Sequence, residues 1–187
     1  MLESIQSFEF AVLDFIQQNI RCDFLDALIP AVTHYGIVLW IAIAAIALIF
    51  NKTRKCGASM GAGMIMGLLM GNVILKNIVQ RDRPCWINTS VELLVDHLSD
   101  YSFPSGHTLA SFIAAIVIFR HNKKLGIPAL ILATFIAFTR LYLYVHFPTD
   151  ILGAILLAVV VAIPVDILVT KAYNKAAQRI KEKRTTE

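Results

Sequence analysis

Long apolar runs separated by short charged segments constrain this chain more than any other feature. About 20 apolar residues in a helix cross the hydrocarbon core of a bilayer, where only structures that satisfy their own backbone hydrogen bonds persist. Runs at 36–50, 57–76, 105–119, 125–145 and 148–169 predict five such helices. Composition agrees: charged residues are 16% of the chain, against about 25% in soluble domains, apolar residues are 57% and mean hydropathy is +0.68. The expected fold class is all-α, a polytopic membrane bundle of about five transmembrane helices, with six the upper count.

Residues 3–20 predict an amphipathic interfacial helix. Ile5, Phe8, Val12, Phe15, Ile16 and Ile20 form one stripe, with Glu3, Gln6, Asp14 and Gln17 elsewhere. The segment lacks the basic start and small-residue cleavage site of a signal peptide, so it is expected to stay in the mature chain. In the run at 24–50, Asp26, Pro30 and His34-Tyr35-Gly36 suggest a surface helix ending in a turn before the first crossing. One integral-membrane domain over 1–187 is therefore expected: interfacial helices at 1–35, the bundle at 36–170 and a basic tail at 171–187.

The charges between runs orient the bundle. Lys52, Arg54 and Lys55 follow the first crossing, Arg120, Lys123 and Lys124 the third, and the basic tail the fifth. All three clusters fall on one side, which the positive-inside rule makes cytoplasmic. The expected location is the plasma or inner membrane, with a cytoplasmic C-terminus. Residues 77–104 and the turn around His146 then face the extracytoplasmic side. Gly57, Gly61, Gly63, Gly67 and Gly71 in the second crossing predict close helix packing within the bundle. Cys22, Cys56 and Cys85 lack metal-ligand spacing and indicate no disulfide framework, although Cys22 and Cys85 could share a compartment.

Three polar stretches stand where apolar runs end, all on that outer side. In Lys76-Asn77-Ile78-Val79-Gln80-Arg81-Asp82-Arg83-Pro84, Lys76 and Arg83 are two helical turns apart and share a face if the helix continues to Pro84. Arg81 and Asp82 alternate with that face and read as solvated. Taken singly, Lys76 reads as a snorkelling side chain and Arg83 as a solvated one. In Pro104-Ser105-Gly106-His107, Ser105 is placed to cap a helix, and Gly106 leaves room for an anion at the first amides. His107 could give a proton to a leaving oxygen; alone, the tetrapeptide reads equally well as a structural loop and cap.

In the third stretch, Arg140 lies in an apolar helix and needs a partner or a function. Pro148 fits the first position of the last helix, which puts Asp150 in its first turn. There the carboxylate could accept a hydrogen bond from His146, leaving the other ring nitrogen as an unprotonated nucleophile. Three fixed cations, two imidazoles and a carboxylate are what binding a phosphate and attacking its phosphorus require.

Together these stretches resemble the signature of the type 2 phosphatidic acid phosphatase (PAP2) superfamily, shared with glucose-6-phosphatases and vanadium-dependent haloperoxidases. Its elements are Lys-x6-Arg-Pro, Pro-Ser-Gly-His and Ser-Arg-x5-His-x3-Asp. The single departure is Thr139 where serine is usual. The resemblance implies that Lys76, Arg83 and Arg140 hold the phosphoryl oxygens, with Ser105 and the Gly106 amide assisting. It further implies that His146 attacks phosphorus, Asp150 orients it, and His107 protonates the leaving oxygen. No metal or other cofactor is expected, since the cations neutralise the phosphoryl charge.

The apolar crossings and small size favour a membrane lipid phosphatase over two alternatives, a vanadate-dependent haloperoxidase-like enzyme and an inactive lipid-binding protein. Trp86, Tyr101, Phe103, Tyr142, Tyr144 and Phe147 flank the site and suit a lipid head group at the interface, although any membrane-interface belt shows such aromatics. The expected partners are a lipid phosphate and the bilayer, not nucleic acid. Undecaprenyl diphosphate is favoured as substrate, then phosphatidylglycerol phosphate or phosphatidic acid.

Overall fold

The computed structural model describes residues 2–96 and 98–185. Residues 186 and 187 of the expected tail, and the side chain of Glu3, lie outside that description. The described residues are helical, with no strand among them. Helix α1 is Leu2–Asn19 and α2 is Asp23–Ile49; α3 (Arg54–Gly67) runs through a π-helical stretch, Leu68–Leu75, into α4 (Lys76–Val79). A short helix α5 (Pro84–Ile87) follows, then α6 (Gly106–His121), α7 (Lys123–Tyr142) and α8 (Pro148–Thr185).

Four stretches are long and apolar enough to cross a membrane: Asp23–Ile49, Arg54–Ile87, Lys123–Tyr142 and Pro148–Arg179. The fifth expected crossing is α6, an apolar helix of 16 residues, about 24 Å at the α-helical rise. Helix α6 sits against α2, α3, α7 and α8 and buries Leu109, Ser111, Ile113, Ala114, Ala115 and Val117. Its small residues let four neighbours approach. Trp40 of α2 reaches across this core, and its indole N–H donates to Ser111 Oγ at 2.9 Å. Large apolar side chains such as Ile131, Leu156 and Val160 point outward, where lipid rather than water solvates them.

With lipid outside, burial gives the helices no hydrophobic reason to associate, so dispersion in tight contacts must hold them. Glycines of α3 and of the π-helical stretch that follows it supply such contacts. A Cβ at Gly57 would stand 2.6 Å from the Ala44 carbonyl oxygen, and one at Gly67 or Gly71 would stand 2.5 Å from Ile113 or Leu109 of α6. Gly61 faces open space.

Two expected boundaries differ. The turn expected at His34-Tyr35-Gly36 is absent, because α2 continues through Pro30. That proline lies in the second turn, where the lost backbone bond falls near the polar start of the helix. The continuation to Pro84 that would put Lys76 and Arg83 on one helical face does not occur: the helix stops at Val79, where Gln80 takes the left-handed conformation (φ 47°) and donates its N–H to the Lys76 carbonyl.

Helix α1 turns Glu9, Leu13 and Ile16 inward and leaves Ile5, Phe8 and Phe15 exposed. The basic segments gather at the far end of the bundle. Arg120 and His121 bind Asp166 of α8 at 2.7 and 2.8 Å, and Lys55 meets Asn174 at 2.5 Å. The three motifs occupy the opposite end.

Candidate active site

Lys76 and Arg83 meet through a residue that the motifs do not include. After α4 ends, the loop folds back so that both cations bind the Asp100 carboxylate, Lys76 at Oδ2 and Arg83 Nη2 at Oδ1 (2.7 Å). Arg83 also donates from Nε to the Asp100 carbonyl (2.7 Å) and from Nη1 to the Val145 carbonyl (2.8 Å). Both cations are buried. Burial alone would raise the Asp100 pKa, but the Lys76 hydrogen bond and the Arg83 charge outweigh it and lower it to about 2.

Arg140 enters from α7 and is 2% exposed. Its Nη1 donates to Thr33 Oγ1 at 3.2 Å, and Thr33 in turn contacts Thr139 Oγ1 at 2.7 Å. Among the described residues Arg140 Nε has no hydrogen-bond partner. A buried, unpaired guanidinium N–H is costly, and an anion would satisfy it.

The turn between α7 and α8 carries His146. Arg83 Nη1 lies 3.2 Å from His146 Nε2, and since a guanidinium can only donate, Nε2 is the acceptor and the proton resides on Nδ1. Nδ1 faces Asp150 Oδ2 at 3.5 Å and Ser102 Oγ at 3.4 Å. The same Oδ2 accepts the Ser102 hydroxyl and the Phe147 backbone N–H (2.8 Å). Burial, with the Arg83 and Arg140 charges, outweighs the Asp150 hydrogen bond and lowers the His146 pKa to about 3, so the ring is neutral at physiological pH.

The second motif opens α6. Ser105 is buried at the N-cap, yet its side chain makes no capping bond; it accepts from Thr108 Oγ1 at 3.0 Å. Gly106 is pressed by Asn72, whose amide would lie 2.9 Å from a Cβ there. Asn72 belongs to the π-helical stretch, an irregularity that recurs at functional sites.

Six of the expected residues, Lys76, Arg83, Gly106, His107, Arg140 and His146, line one cavity of about 570 Å³. Ser105 and Asp150 stand one layer behind it. Among the described residues no three His, Cys, Asp or Glu side chains converge as metal ligands. The three cysteines are unpaired. Sequence reasoning missed Asp100, Ser102, Thr33 and Asn72, which belong to no motif, although the polar run Ser99-Asp100-Tyr101-Ser102 precedes Pro-Ser-Gly-His. Arg81, expected to be solvated, instead donates to Asp150 Oδ1 at 2.7 Å and to Glu9 at 2.5 Å. Its guanidinium stacks on the Phe147 ring, 4.1 Å from the centroid.

The model of the PAP2 superfamily matches residues 56–175, which span all three motifs. The chain belongs to the PAP2 superfamily. It is 30% identical over 139 residues to undecaprenyl-diphosphatase BcrC of Bacillus subtilis (strain 168), covering 73% of this chain and 71% of that one. The crystal structure of a transmembrane PAP2-type phosphatidylglycerolphosphate phosphatase from Bacillus subtilis matches with a TM-score of 0.64 at 27% identity, over 90% of this chain and 95% of that one. Aquifex aeolicus LpxE shares the fold, with a TM-score of 0.73 at 24% identity over 88% and 95% of the two chains. This PAP2 enzyme is therefore a membrane phosphatase, a hydrolase of lipid phosphate esters.

Proposed function

We propose that this PAP2 phosphatase hydrolyses undecaprenyl diphosphate at the extracytoplasmic face through a phosphohistidine on His146. The observation that carries the reading is the position of His146: Nδ1 faces Asp150, while Nε2 accepts from Arg83 Nη1, and the residue lines the cavity together with Lys76, Arg83 and Arg140. The terminal phosphate binds among the three cations, with Arg140 Nε among its donors. Arg83 Nη1 turns from Nε2 to a phosphoryl oxygen, the freed lone pair of Nε2 attacks phosphorus in line, and the P–O bond to the leaving lipid phosphate breaks. His107 donates its proton to that oxygen, then takes one from the water that cleaves the phosphohistidine. Inorganic phosphate leaves, and His146 is neutral again.

The cavity favours a lipid with a long chain. Beyond the cations its wall becomes apolar, with Ile37, Ile41, Ala44 and Leu48 on α2 and Gly57, Gly61, Met64, Ile65 and Leu68 on α3. From Lys76 to Gly57 the groove runs about 28 Å along the helix, close to the thickness of the hydrocarbon core. Similarity to BcrC supports the diphosphate; similarity to the phosphatidylglycerolphosphate phosphatase supports that lipid as the second candidate. The clustering of basic segments at the far end supports an outward-facing site with the C-terminus in the cytoplasm.

The test is phosphate release by purified protein in detergent from undecaprenyl diphosphate, phosphatidylglycerol phosphate and phosphatidic acid. The highest kcat/KM is expected for the diphosphate, with an acid-labile phosphoenzyme that His146→Ala abolishes. A preference for phosphatidylglycerol phosphate would replace the substrate assignment. Full activity in His146→Ala would remove the nucleophile assignment. Vanadate is expected to inhibit, and halide oxidation by the vanadate-loaded protein would contradict the hydrolytic reading.

A further inference from the structure

Behind Asp150, away from the phosphate cavity, a second set of charges is left unused by the reaction just described. Glu9 of α1 is 1% exposed. Its Oε1 accepts the backbone N–H (3.1 Å) and hydroxyl (2.5 Å) of Thr149, and its Oε2 accepts Arg81 Nη2 at 2.5 Å. Arg81 then donates from Nη1 to Thr149 Oγ1 (2.6 Å) and to Asp150 Oδ1 (2.7 Å).

Each oxygen of Asp150 is thereby committed in a different direction. Oδ2 serves His146, Ser102 and the Phe147 N–H, while among the described residues Oδ1 serves Arg81 alone. A carboxylate held on one oxygen can still turn about its Cβ–Cγ bond; one held on both cannot. Arg81 is equally constrained, with its planar fork gripped by Glu9 on one nitrogen and by Asp150 on the other, and its face stacked on Phe147. A buried ion pair is a poor choice if α1 needed only an anchor, since apolar residues of similar volume pack at least as stably. Glu9 also lies outside residues 56–175, so the family match assigns it nothing.

We infer that Glu9 and Arg81 are positioning residues for the hydrolysis, with α1 completing the site: Glu9 fixes Arg81, Arg81 fixes the plane of the Asp150 carboxylate, and that carboxylate aims His146. The inference rests on His146 being the nucleophile. It predicts a defect in aim rather than in phosphate binding, because the cavity contacts of Lys76, Arg83 and Arg140 include neither residue.

The experiment compares Arg81→Met, Arg81→Lys and the isosteric Glu9→Gln with the parent enzyme in detergent, measuring kcat, KM, the pH profile of kcat/KM and the melting temperature. In Arg81→Met and Glu9→Gln, kcat is expected to fall by about 10- to 100-fold with KM changed by less than about twofold. Loss of the Arg81 cation favours the imidazolium of His146, so the acid limb of kcat/KM moves to higher pH in Arg81→Met. Arg83, Arg140, His107, Lys76, Asp100 and Asp150 also face His146 or its partners and are unchanged in that variant. Arg81→Lys keeps the charge without the fork, so the limb returns to its original position while kcat recovers only in part. Losses of kcat that merely follow losses of folded protein, with the limb unmoved, would reduce the pair to an anchor for α1 and overturn the inference. So would unchanged kcat in both variants while His146→Ala is inactive. An active His146→Ala would overturn the mechanism itself, and the inference with it.

Discussion

Asp100 sets the charge balance of the site. Its carboxylate is the shared partner of Lys76 and Arg83, and together they hold it ionised to about pH 2 against an ordinary value of 3.8. Because the folded value is depressed, the pairing stabilises fully above about pH 4 and is lost as pH falls from there toward 2. Unfolding followed against pH should show this loss in the parent protein and a shallower slope over the same window in Asp100→Asn. His146 adds an earlier loss, between 6.5 and about 3, as the unfolded chain takes up a proton that the buried ring refuses. Arg140 presents the opposite balance, with a buried Nε that no described residue satisfies. Arg140→Met should lower kcat by about 10²- to 10³-fold, the usual consequence of removing one preorganised donor. Its melting temperature should stay level or rise, because an uncompensated buried charge is removed.

At the scale of elements, the helices and the motifs' places at their ends were legible, since both follow from local periodicity and from proline and glycine chemistry. Ser105 does stand at the N-cap of α6, but without the capping bond that its residue type suggests. The chain has no turn at His34-Tyr35-Gly36, and its second crossing does not continue to Pro84. Pro30 does not break α2 because its lost bond falls near the helix start, and nothing in the sequence marks Gln80 as left-handed. The glycines of α3 divide by what they touch. Gly57→Ala drives a Cβ to 2.6 Å from the backbone of α2, which cannot yield, and should destabilise by about 1–3 kcal/mol. Gly61→Ala meets open space and should leave the melting temperature in detergent level or raise it, because alanine is the better helix former. Equal destabilisation by both would mean that the close approach to α2 does not set the cost at Gly57, since helix propensity favours alanine at either position.

On the scale of the whole molecule, the bundle joins a charged receptor at one end to an apolar groove between α2 and α3, and gathers its basic segments at the other. The proposed orientation in the membrane rests on that polarity. In a cysteine-free background, Asp82→Cys should react with an impermeant thiol reagent in intact cells, whereas Lys175→Cys should react only after permeabilisation. Labelling with the reverse sidedness would turn the site toward the cytoplasm.

The sequence by itself determined the all-helical membrane architecture and the identity of six residues that line the cavity, Lys76, Arg83, Gly106, His107, Arg140 and His146. Apolar run length and the spacing within three short motifs are local properties of a chain. It did not determine how those groups are held. Asp100 joins Lys76 to Arg83, Ser102 closes on Asp150, and Glu9 reaches Arg81 from 72 positions away in the chain. Only the tertiary structure decides such pairings, because a single Asp, Ser, Glu or Arg carries no periodicity. Its partner is chosen by which loops the packed helices bring together, and by the cost of leaving a buried charge unmatched.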